Sequence, residues 1–200
     1  TDLIFSPHID FLQTKKTPRI LTIHDLSFIH YPNFFSYKHR WWHKMQKVKK
    51  QAQQAVHIIT DSQFSKDDIV STLQIPAEKV SVVYPGINKH SKPLAQNLKF
   101  EIKNFKFILY LGALEPRKNI DAIIKAFNII KEDPQFADLK LVLAGRVGWL
   151  FKKEEQKDVI FWGAATEEEK SLLYGNAAAF IYPSFFEGFG FPPLEAQTRS

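Results

Sequence analysis

The sequence predicts an α/β protein with parallel, doubly wound sheets. Short apolar runs of strand length alternate with helix-length stretches along the chain, most regularly from Phe105 onward. That alternation is the pattern of parallel sheets joined by right-handed crossovers. The second observation is a corner at residues 177–195. An apolar run, Ala-Ala-Ala-Phe-Ile-Tyr182, reads as a buried strand and leads into a loop with two glycines. Pro192 and Pro193 follow; they cannot continue a strand but suit a first helical turn. In open α/β sheets ligands bind outside the carboxyl ends of the strands, so this corner is the natural place for a site.

Composition bounds the rest. The chain has 200 residues, 44% of them hydrophobic and 24% charged, as in ordinary globular proteins. With no cysteine, disulfides and thiolate metal sites are excluded. No uninterrupted apolar run reaches bilayer length and the start carries no signal-peptide pattern, so a cytoplasmic protein is the default expectation. The net charge of +6 favours anionic partners. Both ends read as cut: residues 2–6 look like a strand already under way, and the chain stops one turn into the helix after Glu195. A fragment of a longer enzyme is expected.

In order, strands are expected at residues 3–5 and 19–23, the second after a turn at residues 15–18. The second runs into His24-Asp25-Leu-Ser-Phe28. A His-Asp pair at a strand's carboxyl end is placed for a ligand; equally, Asp25 can cap the following turn while His24 packs locally. Residues 36–60 carry the clearest helical pattern. Ser36 is a good N-cap, and Tyr37, Trp41, Met45, Val48, Ala52 and Ala55 share one face. Between Asp25 and Asp61 no residue is acidic, while Lys38, Arg40, Lys44, Lys47, Lys49 and Lys50 are cationic. A basic amphipathic helix bearing Trp41 and Trp42 suits a membrane surface; a solvated basic face on a core-packed helix is the plain alternative.

A buried strand is expected at residues 56–60, a helix capped by Ser65 through Leu73, and a strand at 80–84. Residues 89–104 read as a polar linker. Beyond it, strands at 105–111, 139–144, 159–162 and 177–182 alternate with helices at 121–131 and 166–174. Thr166 and Glu169 form a capping box for the latter helix.

Several motifs could carry chemistry. The turn Gly112-Ala-Leu-Glu-Pro-Arg117-Lys118-Asn119 places two cations before a helix N-terminus, where Arg can grip phosphate oxygens bidentately and Lys adds a compact charge. Read plainly, it is a solvated basic turn with Asn119 as N-cap. Gly145-Arg-Val-Gly148 is a turn and no dinucleotide fingerprint. Phe161-Trp162-Gly163 ends another strand, its aromatics equally suited to the core. Glu187 and Glu195 bracket seven residues of the corner loop. There is no D-x-D, no P-loop, and no zinc-like histidine spacing. No metal site is expected, and leaving-group charge would fall to Arg117, Lys118 and a helix dipole.

The segment Ser184-Phe-Phe-Glu-Gly-Phe-Gly-Phe-Pro-Pro-Leu-Glu-Ala196 resembles the E-x7-E signature of retaining glycosyltransferases of the GT-B fold, family 4 (glycosyl transferases group 1). The segments Thr22-Ile-His-Asp-Leu-Ser-Phe28 and the Glu115-Pro-Arg-Lys-Asn119 turn are similar to motifs of that family in the same order. One departure is Ala113, where many relatives carry arginine, a charge that Arg117 would supply.

The resemblance implies a GT-B protein of two Rossmann-like domains. Residues 1–85 would form the end of an incomplete acceptor-binding domain, 86–104 the linker and crossover, and 105–200 a truncated donor-binding domain. It implies transfer of a hexose, mannose-like, from a nucleotide diphosphate sugar to a hydroxyl acceptor with retention and without metal. No cofactor is implied; the nucleotide sugar, GDP-mannose or a UDP-sugar, is substrate. Glu187 would bind donor-sugar hydroxyls, Phe189 and Gly190 would offer backbone N–H groups, and Glu195 would hold the ribose. His24 would orient the sugar, Arg117 and Lys118 with Gly112 would hold the diphosphate, and Phe161 and Gly163 would line the base pocket. Implied partners are the donor and a glycan or lipid-linked acceptor, with peripheral contact at the inner membrane face through the basic helix 36–60. Rival readings are a sugar-nucleotide-binding remnant without turnover, a related epimerase, and, less favoured, a basic nucleic-acid-binding module.

Overall fold

The computed structural model describes residues 2–10, 17–87 and 105–199. Most of the expected linker 86–104, and the start of the turn at 15–18, lie outside the described residues. The chain divides into two compact units: Thr1–Gly86 with Phe186–Phe189, and Ile87–Phe185 with Gly190–Ser200.

In the first unit four parallel strands, β1 (Ile4–Ser6), β2 (Arg19–Thr22), β3 (His57–Thr60) and β4 (Val80–Val82), lie in the order β1-β2-β3-β4. Between β2 and β3 come α1 (Ser27–His30), α2 (Tyr37–Gln46) and α3 (Val48–Gln54); α4 (Gln63–Leu73) precedes β4. The core is Leu21, Ile23, Leu26, Ile58 and Ile69, all fully buried, with Ala52, Ala55 and Leu73. Each buried Leu or Ile side chain contributes about 1.5–3 kcal/mol by leaving water.

The single helix expected from Ser36 is two helices, α2 and α3, and the strand expected at 56–60 follows as β3. Ser36 caps α2 as expected, its Oγ accepting from His39 N. At Lys47 the backbone turns left-handed, with φ 48° and ψ 50°, and α3 starts in a new direction. The break is held from inside: Gln51 Nε2 donates to Gln46 O at 2.5 Å, satisfying a carbonyl that the helix end leaves open. Arg19, itself buried, donates to Gln51 Oε1 and to Ser6 Oγ, both at 2.8 Å, tying the break to the sheet. Burial pulls the Arg19 pKa below its ordinary value, with Asp10 opposing. The break splits the apolar stripe. Val48, Ala52 and Ala55 are buried, whereas Tyr37, Trp41 and Met45 are 82%, 58% and 50% exposed. The cap of α4 is also corrected: Ser62, and not Ser65, is the N-cap, accepting from Ser65 N at 3.0 Å.

The second unit holds β5 (Phe107–Leu111), α5 (Ile120–Ile130), β6 (Lys140–Ala144), β7 (Val159–Gly163), α6 (Glu167–Asn176), β8 (Ala179–Phe180) and α7 (Phe191–Arg199). Its parallel sheet runs β7-β6-β5-β8. Strand order therefore reverses between β5 and β8, and an open α/β sheet forms its ligand crevice at such a switch point. Phe107, Leu109, Val142 and Trp162 pack on one face, Tyr110, Leu141, Leu143, Ile123 and Phe127 on the other. The Thr166–Glu169 capping box is present in both directions. Expected as a buried strand over 177–182, β8 is instead a short strand with Ala179 exposed; among the described residues it pairs with β5 and lies at the end of the sheet. Asp158, left-handed at φ 66°, pairs with Lys131 at 2.9 Å and with Lys140, joining the end of α5 to the entrances of β6 and β7.

Candidate functional site

In the second unit the loops after β5 and β8 meet at the switch point. The loop after β5 starts at Gly112 and continues into a 3-10 turn, Pro116–Lys118. It is braced from beside: Leu114 N donates to Arg146 O and Gly148 N to Leu114 O, each at 2.9 Å. The brace needs glycine, since a Cβ on Gly145 would stand 1.8 Å from Gly112 O. The 145–148 turn is thus the support of the 112–119 turn.

The two cations differ. Arg117 Nη2 is paired with Glu115 Oε1 at 2.9 Å, and Glu115 is only 3% exposed. Lys118 is 7% exposed, and its Nζ donates to Tyr182 Oη at 2.9 Å. Asn119 occupies the N-cap position of α5, left-handed at φ 59°, but its side chain makes no cap; it donates instead to Pro183 O at 3.3 Å. Phe185 N donates to Arg117 O at 3.0 Å, so the loop after β8 is stitched to the basic turn.

Gly163 ends β7 and accepts from Gly145 N at 2.8 Å. Phe161 points to the α5 face of the sheet, half-buried against Phe151 with Lys153 Nζ 5.1 Å from its ring, while Trp162 is buried on the opposite face. Gly190, with φ 88°, turns the chain into α7. Glu195 lies half-buried in the second turn of α7, where Oε2 accepts from Tyr174 Oη at 3.1 Å.

In the first unit His24 leaves β2 with its ring half exposed. Nδ1 lies 2.7 Å from Asp61 Oδ2 and Nε2 3.1 Å from Pro7 O. Asp25 Oδ1 accepts from Ser27 N at 2.8 Å, so Asp25 does brace the next turn. The segment Phe186–Phe189 belongs to this unit. Ser65 Oγ bridges His24 O at 3.0 Å and Gly188 O at 3.2 Å, and Ser62 Oγ also donates to Gly188 O. Glu187, in this segment, is half-buried; Phe189 faces Tyr84 at 6.3 Å between ring centroids. A cavity of about 300 Å³ opens beside His24, lined by His8, Asp25, Phe28, Trp42 and His43 among others. Burial and nearby His39 lower the His43 pKa against the pull of Asp25.

Glu115, Tyr174, Tyr182 and Asp61 complete these arrangements. The sequence carried little signal for them: Tyr174 reads only as the end of the helix over 166–174, and Asp61 as the start of a turn. Among the described residues no group of acidic and histidine side chains has the geometry to hold a metal ion.

Comparison with known families matches residues 2–91 to Glycosyltransferase Family 4 and residues 95–200 to Glycosyl transferases group 1. The chain belongs to the glycosyl transferases group 1 family. Within that family it is 28% identical to O-antigen chain mannosyltransferase B of Escherichia coli, over 98% of this chain and 55% of the relative. It is 31% identical to O-antigen chain mannosyltransferase RfbU of Salmonella typhimurium, over 90% of this chain and 49% of the relative. The chain thus spans about half the length of the curated relatives it matches. The crystal structure of Anabaena HepE in complex with UDP and glucose superposes with a TM-score of 0.69 at 18% identity, covering 98% of this chain and 56% of that one. At that identity the likeness establishes the GT-B fold, whose two parallel sheets this chain shares.

Proposed function

We propose that the chain is part of a retaining hexosyltransferase that moves a mannose-like sugar from a nucleotide diphosphate donor to a hydroxyl acceptor. The observation that carries this reading is the switch point of the second sheet, where the turn bearing Arg117 and Lys118 meets the loop that leads to α7 and Glu195. A diphosphate suits that turn because Lys118 is held there by Tyr182 and because the leaving group develops charge as the glycosidic bond breaks. Arg117, shared with Glu115, contributes less net charge than the sequence suggests. Glu195, steadied by Tyr174, has the carboxylate to accept from two ribose hydroxyls. Gly112 lets the donor's phosphates approach the backbone, and Phe161 and Gly163 flank the base.

Glu187 and the backbone N–H groups of Phe189 and Gly190 would take the donor sugar, and His24 would orient it. With no protein nucleophile assigned, leaving-group departure and acceptor attack occur on one face of the sugar, within one ion pair. Mannose is favoured by the mannosyltransferase relatives; GDP-mannose and UDP-sugars are the donors to compare. The same reading divides the chain into an acceptor-binding part at 1–85, a linker at 86–104 and a donor-binding part at 105–200.

A second feature favours contact with an anionic membrane. The exposed Tyr37, Trp41 and Met45 lie among Lys38, Arg40 and Lys44, beside a groove of about 910 Å³ lined also by Lys47, Lys49 and Lys50. No helix of the described residues is long and apolar enough to cross a membrane, so this contact would be peripheral, at the inner face, with a lipid-linked acceptor.

Calorimetric titration with GDP-mannose, UDP-glucose, GDP and UDP tests the donor site. Binding of one series that is lost in Glu195→Ala is expected. A folded chain that binds none of them overturns the reading; binding without sugar transfer to any acceptor leaves a donor-binding remnant.

A further inference from the structure

The Lys118–Tyr182 contact spans the reversal of strand order, joining the turn after β5 to the chain leaving β8 across 64 residues of sequence. Lysine is a flexible point charge, and an ammonium that must meet a diphosphate is useful only where something holds it in place. We propose that Tyr182 is a positioning residue for the donor diphosphate, its hydroxyl fixing the Lys118 ammonium in the crevice between β5 and β8. This rests on the reading of the 112–119 turn as the diphosphate site.

The geometry separates a bond to the hydroxyl from a contact with the ring. Lys118 Nζ is 2.9 Å from Tyr182 Oη but 5.2 Å from the ring centroid, so it sits at the hydroxyl end and not over the face. The ring is itself immobilised. Tyr110 stacks on it at 5.9 Å and 13°, and Phe180 at 5.9 Å and 19°. Tyr110 is fully buried and anchored through its own hydroxyl to Ala113 O at 2.9 Å. The aromatic stack therefore carries the rigidity of the sheet out to one oxygen atom. Two further bonds, Asn119 Nδ2 to Pro183 O and Phe185 N to Arg117 O, join the same loops without Tyr182. Removing the hydroxyl alone should thus leave the loops joined and the ring stacked, while taking away its bond to the ammonium.

The test uses the full chain carrying Tyr182→Phe, with GDP and UDP against guanosine and uridine as probes. Calorimetry reads the diphosphates, and ligand-observed NMR reads the weaker nucleosides. The expected result is a roughly tenfold loss of diphosphate affinity, the order of one hydrogen bond to a charged group. Nucleoside affinity and thermal midpoint should stay as in the parent. Equal losses for nucleoside and diphosphate, or a lowered midpoint, would show a merely structural tyrosine and overturn the proposal. So would unchanged diphosphate affinity. Lys118→Ala separates the underlying reading: if it too leaves diphosphate affinity unchanged, or the parent binds neither diphosphate, the turn is no diphosphate site. If Lys118→Ala weakens binding and Tyr182→Phe does not, only the role of Tyr182 fails. With the proposal correct, the double variant binds no more weakly than Lys118→Ala alone.

Discussion

Tyr174, 5% exposed in the core, gives its hydroxyl hydrogen to Oε2 of Glu195, 21 residues further along the chain. The bond joins α6 to α7 and steadies one oxygen of the carboxylate. Tyr174→Phe keeps the packing of the ring and removes the donor. We expect a roughly three- to tenfold loss of nucleotide affinity from it, in the same direction as Glu195→Ala but smaller. Titration with the nucleotide that the parent binds best checks this, and equal affinities would remove Tyr174 from the site.

Asp158 provides the pH dependence. Hydrogen bonds from Lys140 and then Lys131 hold its pKa at about 2, below the ordinary 3.8. A depressed carboxylate pKa stabilises the folded state fully above the unfolded value, and that contribution is lost as pH falls through the folded value. Stability should therefore drop between about pH 4 and pH 2. In Asp158→Asn, which tolerates the same left-handed backbone, that part of the drop should vanish. At neutral pH this variant should lose roughly 1–2 kcal/mol, an amount limited by the exposure of the two lysines. Thermal unfolding of both proteins across that range is the check; parallel curves would dissociate Asp158 from acid stability.

Gly145→Ala would set a Cβ 1.8 Å from Gly112 O and 2.7 Å from Gly112 C. Backbone cannot yield as a flexible side chain does, so the two turns must separate. A loss of roughly 2–3 kcal/mol is expected, typical of forced overpacking, together with weaker nucleotide binding because Gly112 opens the basic turn. Chemical denaturation and titration of the same variant would show both effects. A variant as stable as the parent would mean the turns do not approach closely.

The exposed aromatic and basic face of α2 predicts salt-sensitive binding to vesicles containing anionic lipid. Trp41→Ala and Lys44→Glu should each reduce flotation with such vesicles, by roughly threefold or more, without changing nucleotide affinity. Absence of flotation by the parent chain at low salt would remove the membrane contact from the functional reading.

Local chemistry in the sequence determined much of this. The Ser36 cap and the Thr166–Glu169 box are short-range patterns satisfied within one turn, the apolar runs of β5 and β6 are visible in a short window of sequence, and each element formed where expected. The E-x7-E segment and the basic turn carried the family in the same way. Tertiary structure alone decided the rest. The Tyr37–Trp41–Met45 stripe has helical period, but its burial depended on a kink at Lys47 held by Gln51, which is itself held by Arg19 from the sheet. Periodicity states that a helix has an apolar face; it does not state what lies against that face. The strand order that puts β8 beside β5, and with it the meeting of Lys118 with Tyr182, arises from pairing across long stretches of chain. Such contacts are set by how whole sheets assemble, because their energies depend on burial and geometry that no local window of sequence contains.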